Sequence, residues 1–146
     1  MRAFLLAAGR GTRISKNIPE IPKCTLKVGD IPLILRTVDM LLDNRVDVTI
    51  IVGYKHGYIE QVLKDKPVHI VYNPFFDVTN SIASLWLARE YMHDEDTIVA
   101  NADVFWSQDI LDAIIQRKKE SNLFMLADRR RAEDGDYFFE IGRAHV

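Results

Sequence analysis

Residues 4–23, FLLAAGRGTRISKNIPEIPK, run from an apolar segment into a glycine-rich turn and close on a proline–lysine pair. The apolar run reads as a buried strand. Gly9 and Gly11 let the next backbone turn sharply and approach a ligand closely. Successive backbone N–H groups in such a turn form an anion-binding concavity. Arg13 and Lys23 then supply the full positive charges that a polyphosphate needs. The segment reads as a cradle for a nucleoside triphosphate. It is neither G-x-x-x-x-G-K-[ST] nor G-x-G-x-x-G, so the P-loop and dinucleotide fingerprints do not apply. A glycine-rich strand-to-helix turn with surface Arg and Lys is the plainer alternative, and it requires two glycines, an Arg and a Pro-Lys to coincide.

The chain has 146 residues, enough for one domain around one core. With 48% hydrophobic and 27% charged residues it has the make-up of an ordinary globular protein. Its net charge of −2 argues against a nucleic-acid binder. Residues 1–27 hold six cations against Glu20 alone, a local +5 that leaves −7 for the remainder. That asymmetry fits a local anion site on an acidic body. Cys24 is the only cysteine, which rules out an internal disulfide and suits a reducing cytosol. Lys23 beside it is expected to lower its pKa; a small packed residue is the plainer role. No run reaches the ~18 apolar residues of a membrane span, and LLAAG leads straight into charged residues, unlike a signal peptide. A cytoplasmic protein is expected.

Strands and helices alternate along the chain. Strands are expected at Ala3–Ala8, Val48–Val52, Val68–Tyr72, Thr97–Ala100 and Leu123–Ala127, with a short extended piece near Lys27–Val28. Helices are expected at Pro32–Leu42, with Asp30 as a possible cap, at Tyr58–Lys64, at Asn80–Met92 and at Gln108–Lys118. In the third helix Ile82, Leu85, Trp86 and Ala88–Arg89 follow the helical period. In the fourth, Ile110, Leu111, Ile114 and Ile115 share a side. This order argues an α/β layered domain with a mostly parallel sheet. Ligands of such sheets bind at the carboxyl ends of the strands. The glycine turn is one such end; Asn101-Ala102-Asp103 is another.

LLAAGRGTR at 5–13, with Pro22-Lys23 ending ten residues on, resembles the signature of the sugar-phosphate and choline-phosphate nucleotidyltransferases. The resemblance implies a Rossmann-like three-layer α/β domain of the nucleotide-diphospho-sugar transferase type, with a mostly parallel, mixed sheet. It implies that Leu6, Ala7, Ala8, Gly9, Arg10, Gly11, Thr12 and Arg13 hold the nucleotide, and that Arg13 and Lys23 act in catalysis. Asn80-Ser81-Ile82-Ala83-Ser84-Leu85 also resembles the choline-phosphate and aminoethylphosphonate cytidylyltransferases, in which this segment lines the nucleotide pocket. Asn80, Ser81 and Ser84 are therefore expected nucleotide-binding residues, and CTP the expected nucleotide. Helix capping by Asn80 or Ser81 accounts for the same residues without a ligand.

Asp103 follows a buried strand and faces the glycine turn. A carboxylate so placed suits Mg²⁺, which binds through one or two carboxylates plus substrate phosphates. The family typically carries Asp-x-Asp or Gly-Asp here, whereas this chain has Asn101-x-Asp103, so Asn101 is expected to be a weaker ligand or a hydrogen-bonding neighbour. Asp103 capping the next turn is the alternative. Phe105 and Trp106 lie where an acceptor is expected, and Tyr54 is placed to stack on a base; core packing is the competing role of each. His56, His69, His93 and His145 show no zinc-ligand spacing. Arg129-Arg130-Arg131, followed by Glu133, Asp134 and Asp136, reads as a solvated face.

Together these features imply transfer of a nucleotidyl group from an NTP to a small phosphorylated acceptor such as phosphocholine or an aminoalkylphosphonate, with release of pyrophosphate. A hexose-1-phosphate acceptor and a non-catalytic nucleotide-binding domain are the alternatives. No nucleic acid or membrane is implied, and the oligomeric state stays open.

The last seven residues, EIGRAHV, would be encoded by GAG-ATC-GGA-AGA-GCA-CAC-GTC, which apart from its first G looks like a widely used sequencing-library adapter; a natural short tail matching by chance is the alternative. The expected layout is therefore a nucleotidyltransferase domain over 1–139, incomplete at its C-terminus and lacking a second acidic metal ligand, followed by a non-native tail at 140–146. Amplification of the locus from source DNA should diverge from this sequence near codon 140. A native stop directly after codon 146 would contradict the expectation.

Overall fold

The structure is a computed structural model in which residues 1–10 and 21–117 are described. Gly11, Thr12 and Arg13, the expected strand at 123–127, the Arg129–Arg131 run and the tail lie outside the described residues.

Four strands, β1 (Arg2–Ala7), β4 (Asp47–Val52), β5 (His69–Tyr72) and β6 (Thr97–Asn101), form one sheet in the order β5-β4-β1-β6. Every neighbouring pair is parallel. Two short strands, β2 (Lys27–Val28) and β3 (Ile31–Pro32), pair antiparallel as a hairpin, with Gly29 at φ 67° in its turn. Four helices are described: α1 (Leu33–Asp43), α2 (Gly57–Leu63), α3 (Ser81–Leu87) and α4 (Gln108–Arg117).

The alternation of side chains along each strand divides the core into two layers. Ala3, Leu5 and Ala7 of β1 and Val48, Ile50 and Val52 of β4 face one way. They pack with Ile34, Val38 and Leu41 of α1, Ile59 and Leu63 of α2, and Leu111 and Ile114 of α4. Phe4 and Ile51 face the other way, toward Ala88, Leu85 and Tyr91. β1 is therefore covered on both faces, which is why its sequence is a continuous apolar run rather than an alternating one. The result is the three-layer, parallel-sheet α/β fold expected from the order of elements.

Several local expectations are corrected. Asp30 does not cap α1, because the β2–β3 hairpin intervenes. Pro32 precedes the helix, and the Leu33 N–H donates to the Leu26 carbonyl at 2.9 Å. The helix expected over Asn80–Met92 ends at Leu87, and a 3₁₀ turn follows at Arg89–Tyr91. Ile82 and Trp86 do not face the core; they are 77% and 66% exposed. α3 instead buries Ser84 and Ala88 is buried just beyond it, and these small side chains let the helix lie close to the sheet. Trp86 faces outward under the Arg89 guanidinium, 4.9 Å from its ring centre. Ile110 is exposed while Leu111 and Ile114 carry the buried face of α4. Arg2, counted among the basic N-terminal residues, sits at the far end of β1, bonded to Glu95 and to the Tyr91 carbonyl.

Gly53, just after β4, is the one crowded glycine among those described. A Cβ there would lie 2.5 Å from the Phe76 Cβ and 2.7 Å from the Ala8 carbonyl oxygen. Backbone on one side and the root of a side chain on the other leave no room to yield. Gly53→Ala should therefore destabilise the chain by about 1–3 kcal/mol, the usual cost of overpacking. Urea denaturation would measure it, and an unshifted midpoint would contradict this account.

Candidate functional site

A cavity of about 510 Å³ opens at the carboxyl ends of β1 and β6. Chain order makes this the switch point of the sheet. From β1 the chain crosses to β4 and then β5 on one side, while β6 joins β1 from the other. Connections leaving in opposite directions open a crevice between the strand ends.

Of the residues expected at a nucleotide site, Leu6, Ala7, Ala8, Gly9, Lys23, Asn80, Ser81, Ser84 and Asp103 line this one cavity. Residues up to 78 and 97 positions apart are brought together. Gly9 has open space where a Cβ would stand, and its φ is not in the left-handed region, so its value here is clearance rather than a special backbone conformation. Arg10 stands outside the lining, its guanidinium carbon 5.8 Å from the ring centres of both Tyr54 and Phe76.

Lys23 opens a 3₁₀ turn, Lys23–Thr25, that the sequence did not announce. The Thr25 N–H and hydroxyl both donate to the Pro22 carbonyl, at 2.9 and 2.7 Å. Cys24 and Thr25 are buried and anchor the turn, while Lys23 remains half-buried at the cavity. Burial, then the negative charge of nearby Asp103, pushes the Cys24 thiol up to about 12, against the partial relief of a backbone hydrogen bond. Adjacency to Lys23 in sequence therefore does not lower its pKa, and Cys24 is a packed, neutral residue.

Asp103 follows β6 and is exposed at the cavity wall. Among the described residues nothing forms an ion pair with it or with Lys23. No cluster of three or more His, Cys, Asp or Glu side chains occurs among the described residues. Among the described lining residues, the charged groups are Lys23 and Asp103, with no ion pair to another described residue.

The opposite wall is uncharged: Phe76, Thr79, Asn80, Ser81 and Ser84. Asn80 caps α3, its Oδ1 accepting from the Ile82 and Ala83 N–H groups at 3.1 and 3.2 Å. Capping and lining are combined in one residue. Phe76 and Thr79 were not singled out by sequence, since their loop has no periodicity to read. Asn73, ahead of Pro74 at the end of β5, also went unmarked by the sequence pattern. It is in fact fully buried, with both ends of its amide engaged. The aromatics that sequence did single out lie elsewhere. Tyr54 is outside the lining, Trp106 is in the core, and Phe105 lies 5.2 Å under the Arg36 guanidinium away from the cavity.

The MobA-like NTP transferase domain matches residues 3–137. The chain belongs to that family. It is 28% identical over 130 residues to a CTP:phosphoglutamine cytidylyltransferase of Campylobacter jejuni, covering 82% of this chain and 50% of that protein. It is 32% identical over 111 residues to a choline-phosphate cytidylyltransferase of Haemophilus influenzae, covering 75% and 47%. The solved CTP:phosphocholine cytidylyltransferase of Streptococcus pneumoniae superposes with a TM-score of 0.65 at 29% identity, covering 74% of this chain and 49% of that one. A UTP–glucose-1-phosphate uridylyltransferase of Haloferax volcanii is also similar, 28% identical over 123 residues, covering 82% and 50%. The chain spans about half the length of these curated relatives. Among the described residues no helix is long and apolar enough to cross a membrane.

A buried, neutral Cys24 has a chemical consequence. The thiol should resist Ellman's reagent at pH 8 in the folded chain and react at once in urea. Its raised pKa also means that the unfolded thiol ionises first. The resulting contribution to stability is fully present below the unfolded value near 9 and is lost as pH rises through about 12. Rapid native labelling at pH 8 would overturn the assignment.

Proposed function

We propose that this MobA-like domain transfers a cytidylyl group from CTP to a small phosphorylated acceptor, phosphocholine or an aminoalkylphosphonate, with release of pyrophosphate. The observation that carries the reading is a cavity that joins Leu6–Gly9, Lys23 and Asp103 to an uncharged wall. An anionic, phosphate-bearing ligand suits the first group and a nucleobase the second. The names of the similar cytidylyltransferases favour CTP and a phosphorylated amine or amide acceptor.

In this reading an acceptor phosphate oxygen, already ionised at neutral pH, attacks the α-phosphorus in line. No strong general base is needed, and the chain's task is positioning and charge stabilisation. Lys23 contacts the α-phosphate or the acceptor oxyanion. Gly9 leaves room for phosphate against the backbone, and Arg13 and the turn's N–H groups hold the β- and γ-phosphates. The donor set suits Mg²⁺: Asp103 is an exposed carboxylate with Asn101 beside it in the lining, and a hard dication completes its shell with phosphate oxygens and water. When bound, Mg²⁺ would neutralise charge on the phosphates. Such chemistry, with an unpaired cysteine, belongs in the cytoplasm.

Two further readings have their own support. A hexose-1-phosphate acceptor is favoured by the uridylyltransferase relative. A non-catalytic nucleotide-binding role is favoured by neutral Asn101 and by the lack of a three-ligand cluster among the described residues. Pyrophosphate release with four NTPs against phosphocholine, aminoethylphosphonate and glucose-1-phosphate separates all three. It should be run on the 146-residue chain and on the open reading frame read from source DNA. CTP with an amine-bearing phosphorylated acceptor is the expected pair.

Lys23→Ala should cut turnover by about 10²–10³, the usual cost of losing one electrostatic donor. Near-normal turnover would refute its role. Asp103→Ala should abolish the Mg²⁺ dependence; an unchanged metal titration would count against the metal assignment.

A further inference from the structure

Asn73 touches nothing in the cavity, yet it holds the cavity's uncharged wall. It directly follows β5, at the sheet's carboxyl edge, and is 0% exposed. Its backbone N–H donates to the Val52 carbonyl at 2.8 Å, which fixes it to the end of β4. Its side-chain Nδ2 donates to Thr79 Oγ1 at 3.1 Å and to Ser84 Oγ at 3.0 Å, and its Oδ1 accepts from the Phe75 N–H at 2.8 Å. One amide therefore binds the start of the 73–80 loop, the end of that loop, and the buried face of α3.

The two hydroxyls are themselves committed. Thr79 Oγ1 donates to the Phe75 carbonyl at 2.7 Å, and Ser84 Oγ points to the Asn80 carbonyl at 3.5 Å. With their protons used, both oxygens offer lone pairs, and only a group with two N–H donors satisfies them together. That orients the amide uniquely. Aspartate at this position would set acceptors against acceptors. Thr79 and Ser84 both line the cavity, so the bracket determines where that wall stands. Phe76, between the bracketed ends, is the one aromatic side chain among the described lining residues and the natural partner for a planar base.

Resting on the nucleotidyltransferase reading, we propose that Asn73 is a positioning residue for nucleotide selection: without contacting the ligand, it holds the nucleobase wall of the cavity in register. Because it acts on the uncharged wall and not on Lys23 or Asp103, its loss should weaken nucleotide binding and base discrimination while sparing the charge chemistry.

The test is Asn73→Asp, with Thr79→Val and Thr79→Ser as a second pair should the aspartate variant fail to fold. Titration calorimetry with CTP and with UTP in Mg²⁺ buffer gives affinity and discrimination, and thermal denaturation gives stability separately. Asn73→Asp should lower CTP affinity about tenfold or more and flatten the CTP:UTP ratio, the scale set by one lost buried hydrogen-bond network. Thr79→Val should move the same two quantities the same way, and Thr79→Ser, which keeps the hydroxyl, should restore them. In an active form of the protein, KM for nucleotide should rise while KM for acceptor and kcat at saturating nucleotide stay within about threefold. A variant with lowered melting temperature but an unaltered CTP:UTP ratio makes Asn73 merely structural and overturns the inference. So does a Thr79→Val variant that discriminates as the unmodified chain does. An unmodified chain that binds no nucleoside triphosphate overturns the nucleotidyltransferase reading as well, so the two failures are told apart.

Discussion

The architecture follows from one constraint: all described strands of the main sheet run parallel. Parallel neighbours cannot be joined by a tight turn, so each connection crosses over a face of the sheet, usually through a helix. Every strand then ends at the same edge. β1, second from one side and buried on both faces, is the strand from which the connections diverge. The cavity opens where the carboxyl ends of the neighbouring strands β1 and β6 lie side by side. Residues 6–9, 22–24, 76–84 and 101–103 meet there because the sheet's direction gives their connections nowhere else to end.

What the chain discloses before folding divides along physical lines. Two-sided burial leaves a plain mark, so Ala3–Ala8 and Val48–Val52 are legible as strands, each within a residue or so of its observed bounds, and the spacing of Ile34, Val38 and Leu41 is legible as the buried stripe of α1. From those elements the carboxyl-end rule brings the glycine turn and Asp103 to one edge. α3 defeats the same reasoning because its buried side is small and partly polar. Ser84 and Ala88 carry almost no hydrophobic signal, while Ile82 and Trp86, which carry most of it, face outward. Periodicity located the helix and chose the wrong face. Asp30 failed as a cap because a two-residue hairpin leaves no trace in a hydropathy pattern. Asn73 was illegible for a related reason: its importance lies in hydrogen bonds spanning 6 and 11 residues, with no property of its neighbours to announce it.

On the α3 side of the sheet, two buried polar groups are handled differently. Thr49 is fully buried on the α3 side, and its Oγ1 has no hydrogen-bond partner among the described residues. Asn73, equally buried, has its amide donor and acceptor both used. A hydroxyl left alone costs stability and specifies nothing, whereas a satisfied amide selects one arrangement of three segments. Gly53 adds a second restraint on the same loop, since Phe76 occupies the space a side chain would need. The loop from 73 to 80 is short and largely exposed, yet it is tied at both ends and pressed down near its middle. A wall built this way keeps its shape without a large apolar core beneath it.

The charged end of the cavity follows the opposite logic. Lys23 and Asp103 line the same space but form no ion pair with each other. Had they met, each would have neutralised the other, and an incoming ligand would have had to break the pair first. Cys24, next to Lys23 in sequence and packed in the core, is close enough to Asp103 to feel its charge. A cysteine suits that position because it is small, apolar and, with its pKa pushed up to about 12, uncharged at any physiological pH. An ionisable residue there would add a third charge and draw one of the two inward. With Asn101 in place of a second carboxylate, the described lining residues hold one positive and one negative group, so they repel neither an anionic ligand nor its counter-cation.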